Sequence, residues 1–173
     1  MKKVVSAGGA CIAVMLLTSA VTCQAGQSAT EAEQRRAAYA FALGTSMAVA
    51  DALGRTCPSL DSKAAETSRE ALSGWNRRNL PYLLSALKYE RSFLETIFAE
   101  RGVEALQQLQ ADGRARFNAV ALAALSQMFS DDDAKVIDCE RLVGAVEGGI
   151  YDYREHAKFF PILEALQREG NAP

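Results

Sequence analysis

The chain has 173 residues, with 19 lysines and arginines against 21 aspartates and glutamates, a formal net charge of −2, and one histidine. That balance gives no general electrostatic reason to bind nucleic acid or an anionic lipid surface. One histidine cannot supply a His-rich zinc site, and the sequence contains no Walker loop, no G-x-G-x-x-G, no G-x-S-x-G and no S-x-x-K with its companion motifs, so no enzyme activity, metal or cofactor is expected.

The segment 1–25 reads as a secretory signal peptide. Lys2 and Lys3 form a positive start, an apolar stretch runs over 4–21, and small residues lead to Ala25 just before Gly26, where cleavage is expected. The mature chain, 26–173, is then a single helical domain in the periplasm, with 17 basic against 21 acidic residues. Cys11 and Cys23 leave with the signal. Cys57 and Cys139 stay, and in an oxidising compartment they are expected to bridge. Cys23 follows Ala20, Val21 and Thr22. It lacks the leucine three places earlier and the glycine or alanine directly before it that lipidation favours, so membrane anchoring is the lesser reading. After the signal, no apolar run is expected to reach the roughly 18–20 residues that span a membrane.

From there the chain reads as all-α, a compact bundle of five to six helices, because Ala, Leu, Glu, Gln and Arg dominate and no stretch alternates with period two. The first helix is expected over about 29–53. Capping-box spacing occurs at Ser28 with Glu31 and at Thr30 with Glu33; Ala37, Phe41, Gly44, Ala48 and Leu53 lie along one stripe, and Gly54 is a stop. A second helix is expected over about 61–78, capped by Asp61 or Ser59 and ending near Trp75. Asn79-Leu80-Pro81 should break it, with Asn79 capping the next helix and Pro81 in its first turn.

The third helix, about 81–100, carries a broad apolar face of Tyr82, Leu83, Ala86, Leu87, Phe93, Leu94, Ile97 and Phe98, and Arg101-Gly102 should end it. A fourth runs from 103 to about 129, with Gly113 as a possible kink. Ser130 with Asp131, Asp132 and Asp133 marks the start of a fifth helix, a cap followed by negative charge at the positive end of the dipole. Calcium-loop spacing is absent there. Gly148-Gly149 ends that helix. The last, about 151–168, contains Pro161, which either starts a separate short helix or kinks a longer one.

Two segments carry recognition chemistry. Trp75-Asn76-Arg77-Arg78-Asn79 puts an indole beside two guanidiniums, as in interface hot spots. The bland alternative buries Trp75, makes Asn79 a cap and leaves the arginines solvated. Tyr151-Asp152-Tyr153, after two glycines, suits a polar-aromatic contact surface, or a helix-to-helix corner with packed tyrosines and Asp152 as a cap. Trp75, Arg77, Arg78, Tyr151, Asp152 and Tyr153 are therefore the candidate partner-binding residues; no catalytic or metal residue is named. Acidic pairs such as Glu90 and Glu95 keep open a carboxylate-dependent envelope hydrolase.

The signal peptide, the helical mature chain, the two distant cysteines and the pattern Cys139, Gly148, Asp152 together resemble small periplasmic immunity proteins of type VI secretion, the Rap/Tai group. The resemblance covers most of the mature chain in layout and few residues in detail. It implies a non-enzymatic protein that neutralises a peptidoglycan-degrading toxin by plugging its active site. The layout is also similar to that of small helical secretion pilotins, which implies an assembly factor; those are lipoproteins. The expected partner is thus a protein of the cell envelope, with no nucleic acid.

Overall fold

The computed structural model describes residues 30–59, 62–129 and 135–171. The expected signal peptide, Ser28, Asp61 and the Ser130–Asp133 helix start lie outside them. Among the described residues the chain is all-α, with four α-helices: α1 (Glu31–Asp51), α2 (Ser62–Met128), α3 (Lys135–Glu147) and α4 (Phe160–Gly170). The expectation of five to six helices is corrected to four, one of them long.

The correction arises at Pro81, where α2 does not break. Proline has no N–H, so the carbonyl of Arg77 loses its helical donor. Arg77 and Pro81 are both exposed, which leaves that carbonyl on the water-accessible side of the helix. Asn79 does not cap a new helix either. Its side chain donates to Trp75 O at 3.0 Å and holds tertiary partners described below. The break comes at Gly102, with φ 79° and ψ −176°, the only non-helical dihedrals in α2; Gly113 stays helical. That backbone region is nearly glycine-only, and an added Cβ would meet nothing within 4 Å, so the glycine serves the backbone and not the packing. α2 is therefore two arms, 62–101 and 103–128.

α1 starts with the expected capping box at Thr30. Glu33 N donates to Thr30 Oγ1 at 3.3 Å and Thr30 N donates to the Glu33 carboxylate at 2.8 Å, which holds that carboxyl below its ordinary range. The helix then lies against both arms. Arg36 meets Glu90, and a Cβ on Gly54 would touch Leu72, so the first arm runs opposite to α1. Arg36 also reaches Leu109 O, and Gly44 meets Val120, so the second arm runs alongside it. The buried face of α1 is Ala38, Ala42, Ala48 and Val49. Such small side chains let helix backbones approach closely. At Gly44 an added Cβ would stand 2.6 Å from Val120 Cβ and 2.8 Å from Phe117 O.

α1 continues through a π-helical turn, Ala52–Thr56, and a 3₁₀ turn, Cys57–Ser59. The run Glu31–Ser59 is long and apolar enough to cross a membrane by length and composition, contrary to the expectation for the chain after its signal. Its many alanines produce that property, and 50% of its most apolar window is buried inside the fold. The expected bridge is present: Cys57 and Cys139 form a disulfide with Cα atoms 5.7 Å apart, 82 positions apart in sequence. It ties the end of α1 to α3.

α3 ends in a glycine-terminated cap. Ile150 N donates to Ala145 O at 2.9 Å and Gly149 N to Val146 O at 3.1 Å, with Gly149 at φ 85°. A 3₁₀ turn, Tyr153–Glu155, follows, and α4 starts separately with Pro161 in its first turn. Arg35 fixes α4 to α1 through a paired contact with Glu169 at 2.7 and 2.8 Å, and holds that carboxyl below its usual range. The core gathers Trp75, Tyr153, Leu53, Leu163, Val49 and Val146, all under 2% exposed.

Two outcomes follow from this packing. Gly44→Ala raises helix propensity but forces the α1–α2 contact apart, an overpacking cost of about 1–3 kcal/mol; thermal unfolding should fall by several degrees, and an unchanged or higher midpoint would contradict the close approach. Replacing Cys57 and Cys139 by serine should lower stability to urea by about 2–5 kcal/mol, measured by equilibrium unfolding against the oxidised chain.

Candidate functional site

Trp75, Arg78 and Asn79 stand at i, i+3 and i+4 on the first arm of α2, so they share one helix face. The corner after α3 comes down on that face. The two segments singled out in the sequence are therefore one assembly. Trp75 Nε1 donates to Tyr151 O at 3.1 Å. Arg78 Nε donates to Asp152 Oδ2 at 2.6 Å, and its Nη2 to Val146 O, also at 2.6 Å, near the carbonyl end of α3. Asn79 Nδ2 donates to Asp152 Oδ1 at 2.8 Å, while Asn79 Oδ1 accepts from Tyr153 N at 2.8 Å. Tyr153 Oη reaches back to Ala42 O of α1 at 2.7 Å, and its ring packs edge-on to Trp75 at 5.5 Å.

Of the six candidate partner-binding residues, Trp75, Asp152 and Tyr153 are buried, Arg78 and Tyr151 are partly covered, and Arg77 is exposed. Arg77 makes no ion pair or hydrogen bond among the described residues. The assembly faces inward and anchors the corner. Burial raises the Tyr153 phenol above its ordinary value of 10, and raises Tyr39, Tyr89 and Tyr151 in the same direction.

Beside the corner lies a cleft of about 530 Å³, lined by Phe41, Thr45, Ala124, Tyr151, His156 and Phe159 among others. His156 stacks on Phe159 at 4.7 Å and lies 4.3 Å from Phe41, and its Nδ1 accepts from Phe159 N at 3.3 Å. The histidine thus serves the start of α4. Among the described residues no group of three His, Cys, Asp or Glu side chains is placed to hold a metal ion.

A second feature is more exposed. Between the two arms of α2 lies a groove of about 490 Å³, bordered also by Tyr39 of α1. Leu87, Leu94 and Phe98 form one wall, and Leu106 and Gln110 the other. A smaller hollow of about 310 Å³ continues it toward Arg114 and Phe117. Glu90 and Glu95 both border the groove, each already paired. Glu90 is buried and its carboxylate takes Arg36 Nε and Nη2 at 3.1–3.2 Å; Glu95 pairs with Arg91 at 3.0 Å.

Outside the groove, the first arm exposes Leu80 and Leu84 at 41% and 55%, and at the groove's edge Phe98 is 55% exposed. The broad apolar face expected from the sequence includes Leu87, Leu94 and Phe98 but not Leu80 or Leu84. The available signal was the width of the apolar band. Leu83, Ala86 and Ile97 are buried on one side, and Leu80, Leu84 and Leu87 lie on another, so the helix carries two apolar faces.

Comparison with protein-family models, with curated proteins and with solved structures finds no match for this chain.

The buried phenol has a pH consequence. A group whose folded pKa is raised contributes stability that is complete below its unfolded value and is lost as pH rises toward the folded value. The window therefore opens at about pH 10 and extends upward. Urea midpoints should fall from pH 9 to pH 11, and fall less in Tyr153→Phe than in the wild type; equal slopes would show that Tyr153 does not contribute.

Proposed function

We propose that this chain is a non-enzymatic, protein-binding module of the periplasm, and that its partner is a secreted cell-wall-degrading toxin that it inhibits. The observation that carries the binding reading is the exposed apolar surface of the first arm of α2, where Leu80, Leu84, Leu87 and Phe98, with Val103 just past the hinge, are 37–55% exposed. Contiguous apolar surface beside a groove is costly in water and favours a partner that covers it. The polar groups that the fold gathers are engaged with one another: Asp152 with Arg78 and Asn79, Glu90 with Arg36. This arrangement supports an interaction role over a catalytic one.

The cell-envelope setting is supported by the Cys57–Cys139 disulfide, which persists in oxidising compartments, together with the leader-like segment 1–25. The immunity role rests on the layout resemblance to the Rap/Tai group. A tagged chain expressed in its own cells and purified from periplasm should bring down one protein in stoichiometric amount, and that protein should be a cell-wall hydrolase whose activity falls on adding the purified chain. Recovery of the chain without a stoichiometric partner would overturn the binding reading; a partner that is not a hydrolase would overturn the immunity role alone.

A further inference from the structure

The exposed face of the first arm has a period. Arg77, Leu80, Leu84, Leu87, Arg91, Leu94 and Phe98 follow one another at steps of 3, 4, 3, 4, 3 and 4. That is the spacing of a coiled-coil seam held over three heptads. At about 1.5 Å per residue the seam is about 31 Å long. Every member is exposed except Leu94, which is half-buried and lines the groove. From Leu87 to Phe98 the seam faces Leu106 and Gln110 across the groove, so a helix laid on it would rest against both arms.

Two positions on the seam are charged, and both are arginines. Arg77 has no ion pair among the described residues. Arg91 pairs only with Glu95 of its own helix, through an exposed contact in which the two side chains are 82% and 64% accessible, and such pairs contribute little. The remaining charge at the groove, Glu90, is neutralised by Arg36. Arg77 is thus the seam charge that no acid among the described residues meets, and Arg91, two full heptads on, is held only by that solvent-exposed pair.

We infer that this seam is the seat of one amphipathic α-helix from a partner protein, carrying an apolar heptad face and two acidic residues two heptads apart that meet Arg77 and Arg91. Apolar seam positions supply the burial, and charged positions within a seam set register and partner choice. A second copy of this chain fits poorly, because its seam positions would bring further arginines, and the acids bordering its groove, Glu90 and Glu95, are already paired with Arg36 and Arg91. The inference deepens the protein-binding reading and rests on it.

The probe is a labelled three-heptad helical peptide with leucine at the seam positions and glutamate at two positions separated by two heptads, compared with the same peptide carrying lysine at both. Fluorescence anisotropy should show the glutamate peptide binding the purified chain at least tenfold tighter than the lysine peptide. In the double variant Arg77→Glu, Arg91→Glu the order should reverse, and Leu84→Glu should weaken both at least tenfold, with Leu122→Glu on the second arm unchanged. Circular dichroism and thermal unfolding check that each variant is folded. Equal affinity for the two peptides, no binding of either, or an unchanged order in the double variant would overturn the inference. A chain that sediments alone as a dimer, and becomes monomeric with Leu84→Glu, would overturn it in favour of a second copy. A stoichiometric periplasmic partner retained in full by Leu84→Glu would leave the protein-binding reading standing and remove this seat.

Discussion

The fold depends on the buried amide of Asn79. It stands in the middle of the longest helix at 1% exposure and satisfies three partners: Trp75 O, Asp152 Oδ1 and Tyr153 N. Asp152 is a carboxylate at 4% exposure, and a buried charge is tolerated only when paired and hydrogen-bonded. Asn79 and Arg78 together meet that condition. Through Tyr153 the same knot reaches Ala42 of α1, and through Arg78 it reaches the end of α3. One turn of α2 thus orients α1, α3 and the corner. A half-satisfied polar network of this kind would be worse than an apolar one, so its members are interdependent.

The disulfide and the Asn79 knot act at opposite ends of α3. Cys139 holds one part of α3 to the end of α1, and Arg78 holds Val146 O near the helix terminus. Between them Leu142 and Val146 pack into the core. The π-helical turn before Cys57 matters in this light. A widened turn changes the direction in which the chain leaves α1, and Cys57 follows it directly, with its N–H bonded to Ala52 O. Local helix geometry and the cross-link are thus coupled.

The first arm of α2 has the opposite problem from most surface helices. A single amphipathic stripe suffices to join a core. This arm has an inward face built around Trp75, Asn79, Leu83 and Ala86 and an outward face built around Leu80, Leu84 and Leu87. The outward face has the periodicity of a helix-packing seam and ends at a groove opened by the reversal at Gly102. Its two charged positions are Arg77 and Arg91. The candidate recognition segment is therefore divided by the fold. Trp75, Arg78 and Asn79 belong to the interior, and Arg77, one residue away, belongs to the outer seam.

Much of this was readable from the chain alone. All-α character follows from composition and the absence of alternation. The Thr30 cap, the reversal at Gly102 and the glycine-ended corner at Gly149 are local, because capping chemistry and positive φ depend on a few neighbouring residues. The Cys57–Cys139 pairing followed from elimination once the other two cysteines were assigned to a leader. Other features depend on contacts distant in sequence. Asn79-Leu80-Pro81 has the local chemistry of a helix break, yet Asn79 is bound to Asp152 and Tyr153, 73 and 74 positions away, and the helix runs on. Leu83 and Leu84 are adjacent leucines with the same propensity and the same transfer energy. Only the tertiary packing on one side of the arm decides that the first is buried and the second is exposed.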